Sequence, residues 1–214
     1  DGMGGARAGN VASRLACEVF CGEVCRSLRD GMTEAEEQDV LCTAAKLANI
    51  SVYEHAQLSE EFRGMGTTLV GAFVQGGSAS IMNVGDSRAY IMSGGMLHQI
   101  SEDHSYVEEM RRLGRISEAD ARSHPQKNLI TRAVGVDATV EGDLFEQTLA
   151  DGDILLLCSD GLTGMVEDGK IAEVLAGAGT LEDKGRELLT PALEGGGRDN
   201  ITVALFTCGA KQEA

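Results

Sequence analysis

Four aspartates sit beside glycine or asparagine where the apolar pattern places strand ends: Asp1-Gly2, Gly85-Asp86, Asp160-Gly161 and Asp199-Asn200. Any one of these pairs reads first as a turn, because Asp hydrogen-bonds its own backbone and Gly accepts positive φ. Their conjunction points further. Asp160 ends the apolar run Leu155-Leu156-Leu157-Cys158-Ser159, and a carboxylate at the tip of a core strand needs a partner because an unpaired buried charge is strongly disfavoured. Several carboxylates brought together repel and take up protons unless a divalent cation neutralises them. Oxygen-only donors favour Mg²⁺ or Mn²⁺ over zinc. The chemistry on offer is a binuclear hard-metal site, which lowers the pKa of a bridging water and neutralises an anionic oxygen substrate.

The elements that must position these residues follow from periodicity. From Ala8 to Leu28, apolar side chains at Val11, Ala12, Leu15, Ala16, Val19 and Phe20 have the spacing of an amphipathic helix. Thr33-Glu34-Ala35-Glu36 matches a capping box, and Val40, Leu41, Ala44, Leu47 and Ala48 carry a second helix to about Leu58. After Gly64-Met65-Gly66 the period changes. Thr67 to Val74, Ser78 to Val84, Arg88 to Met92 and Met96 to Ile100, divided by Gly76-Gly77, Gly85-Asp86 and Gly94-Gly95, predict an antiparallel meander.

Helical spacing resumes between Asp103 and Ala121, with a second capping box at Ser117 to Asp120, and the stretch gathers His104, Arg111, Arg112, Arg115, Arg122 and His124. A flap insertion over about 103–127 and a solvated helical pair are both consistent with it. Thr139 to Gln147 alternates as a half-buried strand, and Ile154 to Cys158 is the continuous apolar run of a central one. Helices near Asp168 to Ala176 and Leu181 to Leu193, a Gly195-Gly196-Gly197 turn and a strand from Ile201 to Phe206 complete the chain. This order argues an α+β layering with antiparallel sheets packed between helices, in one domain over residues 1–214.

The 214 residues carry 18 Lys plus Arg against 34 Asp plus Glu, a net charge of −16. That balance argues against nucleic acid and anionic membrane surfaces as partners and leaves metal cations as the natural counter-charge. At 43% hydrophobic and 24% charged residues, the composition excludes disorder and collagen-like repeats. No apolar run reaches the roughly 18 to 20 residues that span a bilayer, and the opening Asp-Gly-Met-Gly is no signal peptide, so a cytoplasmic location is expected. Six cysteines include no C-x-x-C pair, so disulfides are not expected. Cys17, Cys21 and Cys25 repeat every four residues; of a thiolate metal stripe and buried small hydrophobes, the second is the commoner arrangement.

Taken together, Asp1-Gly2-Met3-Gly4-Gly5 with Gly9 and Ala12-Ser13, Gly66-Thr67-Thr68, Val84-Gly85-Asp86-Ser87-Arg88, Ser159-Asp160-Gly161-Leu162 and Arg198-Asp199-Asn200 resemble the protein phosphatase 2C (PP2C, or PPM) family of metal-dependent serine/threonine phosphatases. Glu102-Asp103-His104-Ser105, His124-Pro125 and Asn128-Leu129-Ile130-Thr131 resemble the flap of its bacterial branch. The resemblance implies a four-layer α-β-β-α sandwich with two central antiparallel sheets flanked by helix pairs. It implies that Asp1 bridges two catalytic ions, Mn²⁺ or Mg²⁺, with the Gly2 carbonyl on one of them and Asp160 and Asp199 on the other. Asp86 would join Asp160 at a third, weaker metal site, Asn200 would support Asp199, and Thr67 would lie behind the site. The implied reaction is hydrolysis of phosphoserine and phosphothreonine in proteins by attack of a metal-bridging hydroxide, opposing a cognate serine/threonine kinase.

Two departures stand out. Met3 occupies a position where many relatives have histidine, so metal-bound water or a flap histidine, His104 or His124, becomes the candidate for leaving-group protonation, the histidines also for substrate contact. Relatives also carry a strand segment ahead of Asp-Gly, and this chain is expected to lack it. A catalytically weak or inactive phospho-dependent regulatory module on the same fold is therefore the alternative function.

Overall fold

The computed structural model describes residues 1–194 and 199–209. The glycine turn expected at Gly195 to Gly197, and Arg198 of the last motif, lie outside the described residues. The chain forms two compact units, the first of Asp1–Leu69, Met82–Asp86 and Glu102–Leu144, the second of Val70–Ile81, Ser87–Ser101 and the chain from Phe145 onward.

In the first unit, β1 (Gly2–Met3) pairs antiparallel with β2 (Gly66–Thr67), and α1 (Ala6–Ser27) packs against α2 (Glu34–Ala56). The helix contact is built from small residues. Ala8, Ala12, Ala16 and Phe20 form the buried stripe of α1, and Leu41, Ala44, Ala45, Ala48, Val52 and Ala56 that of α2, the three-and-four spacing read from the sequence. The Thr33 capping box is present: Thr33 N–H donates to Glu36 Oε2 at 2.8 Å and Glu36 N–H to Thr33 Oγ1 at 3.4 Å. Cys17, Cys21 and Cys25 are exposed rather than buried, because the alanine stripe takes the inward face of α1 and leaves the thiols on the outward one. All six cysteines are free.

The helical stretch after Asp103 is two short helices, α3 (Tyr106–Arg112) and α4 (Glu118–Ser123), the second with the expected Ser117–Asp120 capping box. Gly114, at φ 66°, ends the first. The basic cluster is largely matched by local acids, with Arg111 on Glu108, Arg112 on Glu102 and Arg122 on Glu118. These exposed pairs contribute little stability, but they show that the stretch is a mixed-charge surface rather than a cationic one.

The second unit holds a four-stranded sheet of order β6-β5-β8-β9: β5 (Arg88–Ser93), β6 (Met96–Gln99), β8 (Ile154–Cys158) and β9 (Val203–Thr207), every pair antiparallel. A three-stranded sheet has the order β3-β4-β7, made of β3 (Leu69–Gln75), β4 (Ser78–Val84) and β7 (Asp143–Thr148). The apolar run of β8 is central, as expected, and its two faces bury into different cores. Ile154, Leu156 and Cys158 pack with Leu162, Ile171, Val174 and Leu188 from the helices α5 (Asp160–Thr163), α6 (Asp168–Ala176) and α7 (Leu181–Glu194). Leu155 packs with Ala79, Ile81, Ala89, Ile91 and Leu149, backed by Val70 and Phe145 of the other sheet.

The α+β class stands, with three corrections to the expected elements. The meander is interrupted, because β3 and β4 lie in one sheet and β5 and β6 in another; Gly85, at φ 106°, redirects the chain between them. The alternation read from Thr139 becomes a strand only at Asp143, and the last strand begins at Val203 rather than Ile201. Among the described residues no helix is long and apolar enough to cross a membrane.

Lys184 is only 6% exposed. Its ammonium donates to the carbonyls of Val174 and Leu175, at 3.3 and 2.8 Å, and to that of Gly177, so it satisfies the last turn of α6, where a cation is favoured. Lys184→Met fills the space but orphans those acceptors. It is expected to cost about 2 kcal/mol of unfolding free energy, measured by urea denaturation, with the m-value unchanged.

Candidate metal centre

In the first unit, a β-ribbon and a helix start hold the first candidate ligands. The Asp1 carbonyl accepts from Thr67 Oγ1 at 2.6 Å and from the Thr68 amide at 2.9 Å, and the Asp1 nitrogen donates to Thr68 Oγ1 at 3.1 Å. Thr67, buried completely, thus fixes the backbone from which the Asp1 carboxylate projects. Gly2 and Gly9 meet back to back: a Cβ on Gly2 would lie 1.9 Å from the Gly9 carbonyl oxygen. The glycines of this motif let β1 lie directly on the first turn of α1. Asp1 is half-buried, with its Oδ1 shielded from solvent.

Asp86 follows Gly85 in the same unit and is 8% exposed. Gly85 has both the positive φ and the crowding that require glycine, since a Cβ would fall 2.6 Å from Thr68 Cγ2. Asn83 Nδ2 braces the turn through the carbonyls of Gly85 and Glu102 at 3.2 and 3.1 Å. His104 is buried against it. Its amide donates to the Gly85 carbonyl at 2.9 Å and its Nδ1 accepts the Gly85 amide at 3.0 Å.

Nε2 of the ring faces Asp143 Oδ2 and Arg132 Nη1, each at 3.1 Å. Arg132 Nη1 donates to Asp143 Oδ1 at 2.7 Å and to the Glu141 carbonyl at 3.0 Å. Burial works to raise the Asp143 carboxyl, but the bonds from His104 and Arg132 outweigh it and hold the group below the usual carboxylate range. Both nitrogens of His104 thus meet protein partners. His124, half-buried, accepts the Gln126 amide on Nδ1 at 3.1 Å and tilts against the Tyr106 ring. Met3 lines a cavity of about 530 Å³ with Leu129, Ile130, Arg132 and Val136.

The second unit brings Asp160 and Asp199 together. Each offers a carboxylate oxygen, and these lie within 4.8 Å of one another. Asp160 is the first residue of the short helix α5 rather than the last of a strand, half-buried, with Oδ1 shielded from solvent; Asp199 is exposed. Ser159 joins the two segments: its Oγ donates to the Asn200 carbonyl at 2.6 Å and accepts the Thr202 amide at 2.9 Å. Gly161 lets them touch, because a Cβ there would lie 2.5 Å from the Asn200 carbonyl oxygen. The Asn200 N–H donates to Asp199 Oδ1 at 2.9 Å.

Two carboxylates this close repel when both are ionised, and a hard divalent cation is the counter-charge an oxygen-only donor set favours. The residues present therefore fit such an ion. Ser159, Arg132 and Asp143 were not singled out from sequence. Ser159 had a signal, its place immediately before Asp160; the Arg132–Asp143 pair had none, because only the tertiary fold makes partners of residues eleven apart.

A family model for Protein phosphatase 2C matches residues 1–194. The serine/threonine phosphatase stp of Listeria innocua is 42% identical over 205 residues, 96% of this chain and 81% of that protein. The solved serine/threonine phosphatase Stp1 of Staphylococcus aureus superposes with a TM-score of 0.89 at 39% identity, covering 98% of this chain and 82% of that one. The catalytic domain of the phosphatase PstP, solved in complex with two manganese ions, superposes with a TM-score of 0.83 at 34% identity, over 96% of this chain and 84% of that one.

Proposed function

The chain belongs to the protein phosphatase 2C family, and from that premise we infer that it is a metal-dependent serine/threonine protein phosphatase, a hydrolase of phosphoproteins. The observation that carries this reading is the facing pair of Asp160 and Asp199, held by Ser159 and Gly161. The alternative, an inactive regulatory module, is not favoured, since relatives similar over nearly the whole chain bear the names of phosphatases.

By the motif resemblance, Asp1, the Gly2 carbonyl, Asp160 and Asp199 would hold two Mn²⁺ or Mg²⁺ ions, and Asp86 with Asp160 would hold a third. When bound, such ions acidify water toward neutral pH and offset the charge of a phosphate monoester, whose uncatalysed hydrolysis is among the slowest known. The protein's own contribution is positioning. Thr67 and Thr68 fix the Asp1 backbone, Ser159 ties the Asp160 helix start to the Asp199 segment, and the Gly85 turn directs Asp86. Met3 has no proton to give a leaving group, and His104 meets protein partners at both ring nitrogens. His124 stays the flap's candidate for substrate contact. The chain would work as a single domain with 103–127 as its flap, in the cytoplasm, opposing a cognate serine/threonine kinase.

The test is hydrolysis of a phosphothreonine peptide with Mn²⁺ and with excess chelator. Turnover that appears with Mn²⁺ and vanishes with chelator is the expected result. Mn²⁺ binding with no turnover of either phosphoserine or phosphothreonine peptides would return the regulatory module to first place.

A further inference from the structure

We propose that His104 is the positioning residue for Asp86, clamping both backbone polar groups of Gly85 so that the Asp86 carboxylate is held where a cation can use it. The inference rests on the reading of Asp86 as a ligand of the third ion and gives that site a supporting residue of its own.

The geometry is a two-point ring. The His104 amide donates to the Gly85 carbonyl at 2.9 Å, while the His104 ring accepts the Gly85 amide at 3.0 Å. Gly85, at φ 106°, has the widest backbone freedom in the Val84-Gly85-Asp86 turn, and the direction of Asp86 depends on that single residue. The His104 ring holds the Gly85 amide, while the His104 amide and Asn83 Nδ2 hold the Gly85 carbonyl, so both of the turn's polar groups are fixed and the ring supplies the one hold that depends on residue type. The ring is oriented in turn from behind, with Nε2 on Asp143 Oδ2 at 3.1 Å and Asp143 on Arg132 at 2.7 Å. Carboxylate, imidazole and turn form a chain of support like that behind many metal ligands, where removing the outer partner typically costs about 10- to 100-fold in metal affinity. This arrangement also accounts for an imidazole that is only 8% exposed in the mostly polar segment after Glu102.

Two substitutions separate the halves of the ring. His104→Asn keeps an acceptor near Nδ1 for the Gly85 amide and gives up Asp143. His104→Gln is bulkier and reaches toward Asp143, but offers Gly85 no acceptor. Mn²⁺ binding to the metal-free chain, followed by the electron paramagnetic resonance of free Mn²⁺, is compared for wild type, H104N, H104Q and Asp86→Asn, with hydrogen exchange of the Gly85 amide measured by NMR.

Asp86→Asn is expected to lose the weakest Mn²⁺ site. H104Q should weaken that same site about tenfold, leave the others in place and expose the Gly85 amide to exchange, and H104N should restore both. A merely space-filling histidine predicts the reverse order, because Gln fills more of the site than Asn. Loss of the weak site in Asp86→Asn with wild-type binding in H104Q overturns the clamp alone. Unchanged binding in Asp86→Asn overturns the assignment of Asp86 as a ligand, and the clamp's role with it.

Discussion

Asp160→Asn is expected to abolish Mn²⁺-dependent phosphatase turnover while leaving the chain folded. Asn has nearly the shape of Asp, so the packing of α5 beneath Leu162 is preserved, but an amide oxygen is a weak donor to a hard cation and leaves the ion's charge uncompensated. The loss should exceed the roughly 10- to 100-fold typical of an outer support. Thermal melting provides an independent readout. A cation that binds only the folded state stabilises it by about 2.7 kcal/mol at a hundred times its dissociation constant, and that increment should disappear in the variant. In the metal-free state the substitution also removes the repulsion between oxygens of Asp160 and Asp199 that lie within 4.8 Å, so the variant without metal should melt no lower than wild type. Wild-type turnover, or an undiminished Mn²⁺ shift in melting, would remove Asp160 from the cation's ligands.

Gly161→Ala should come close to the same loss by a purely steric route. The added Cβ would stand 2.5 Å from the Asn200 carbonyl oxygen and 3.1 Å from Ile201 Cγ1, and the first of these is backbone that Ser159 already holds at 2.6 Å. One segment must retreat by roughly 1 Å to reach ordinary contact, a displacement that can cost about 100-fold where reacting groups are aligned. Overpacking of this kind also costs about 1–3 kcal/mol of stability. Gly169→Ala is the control: it lies in α6, where an added Cβ meets nothing within 4 Å, and there alanine should be neutral or stabilising by about 0.5–1 kcal/mol. If Gly161→Ala binds Mn²⁺ and turns over as Gly169→Ala does, the close approach of Asp160 and Asp199 does not matter to the site.

The glycines show how much chemistry was written locally. Gly2, Gly85 and Gly161 each stand beside a candidate aspartate, and each has a steric reason that only coordinates supply: the Gly9 backbone, the Thr68 side chain and the Asn200 carbonyl. The pairs were legible in the sequence as possible turns, while their spacing along the chain carried the family resemblance. What pressed against each glycine was not legible, because the contacting residue is 7, 17 or 39 positions away.

Elements whose signal is local followed the same rule. Periodicity located α1 and α2, the second with its capping box, and the uniform hydrophobicity of Ile154 to Cys158 announced a strand covered on both faces, because these patterns depend on neighbours within one or two turns. Tertiary structure decided the remainder. It split the expected meander into two sheets at Gly85, since strand order is a matter of partners rather than of sequence neighbours. It turned Cys17, Cys21 and Cys25 outward, since alanines on α1 left the inward stripe no room for them. And it gave His104, a candidate acid by residue type alone, two engaged nitrogens through Gly85 and Asp143. The kind of chemistry was thus fixed by residue types and their order, whereas the task of each individual side chain depended on partners that only folding brings within hydrogen-bonding distance.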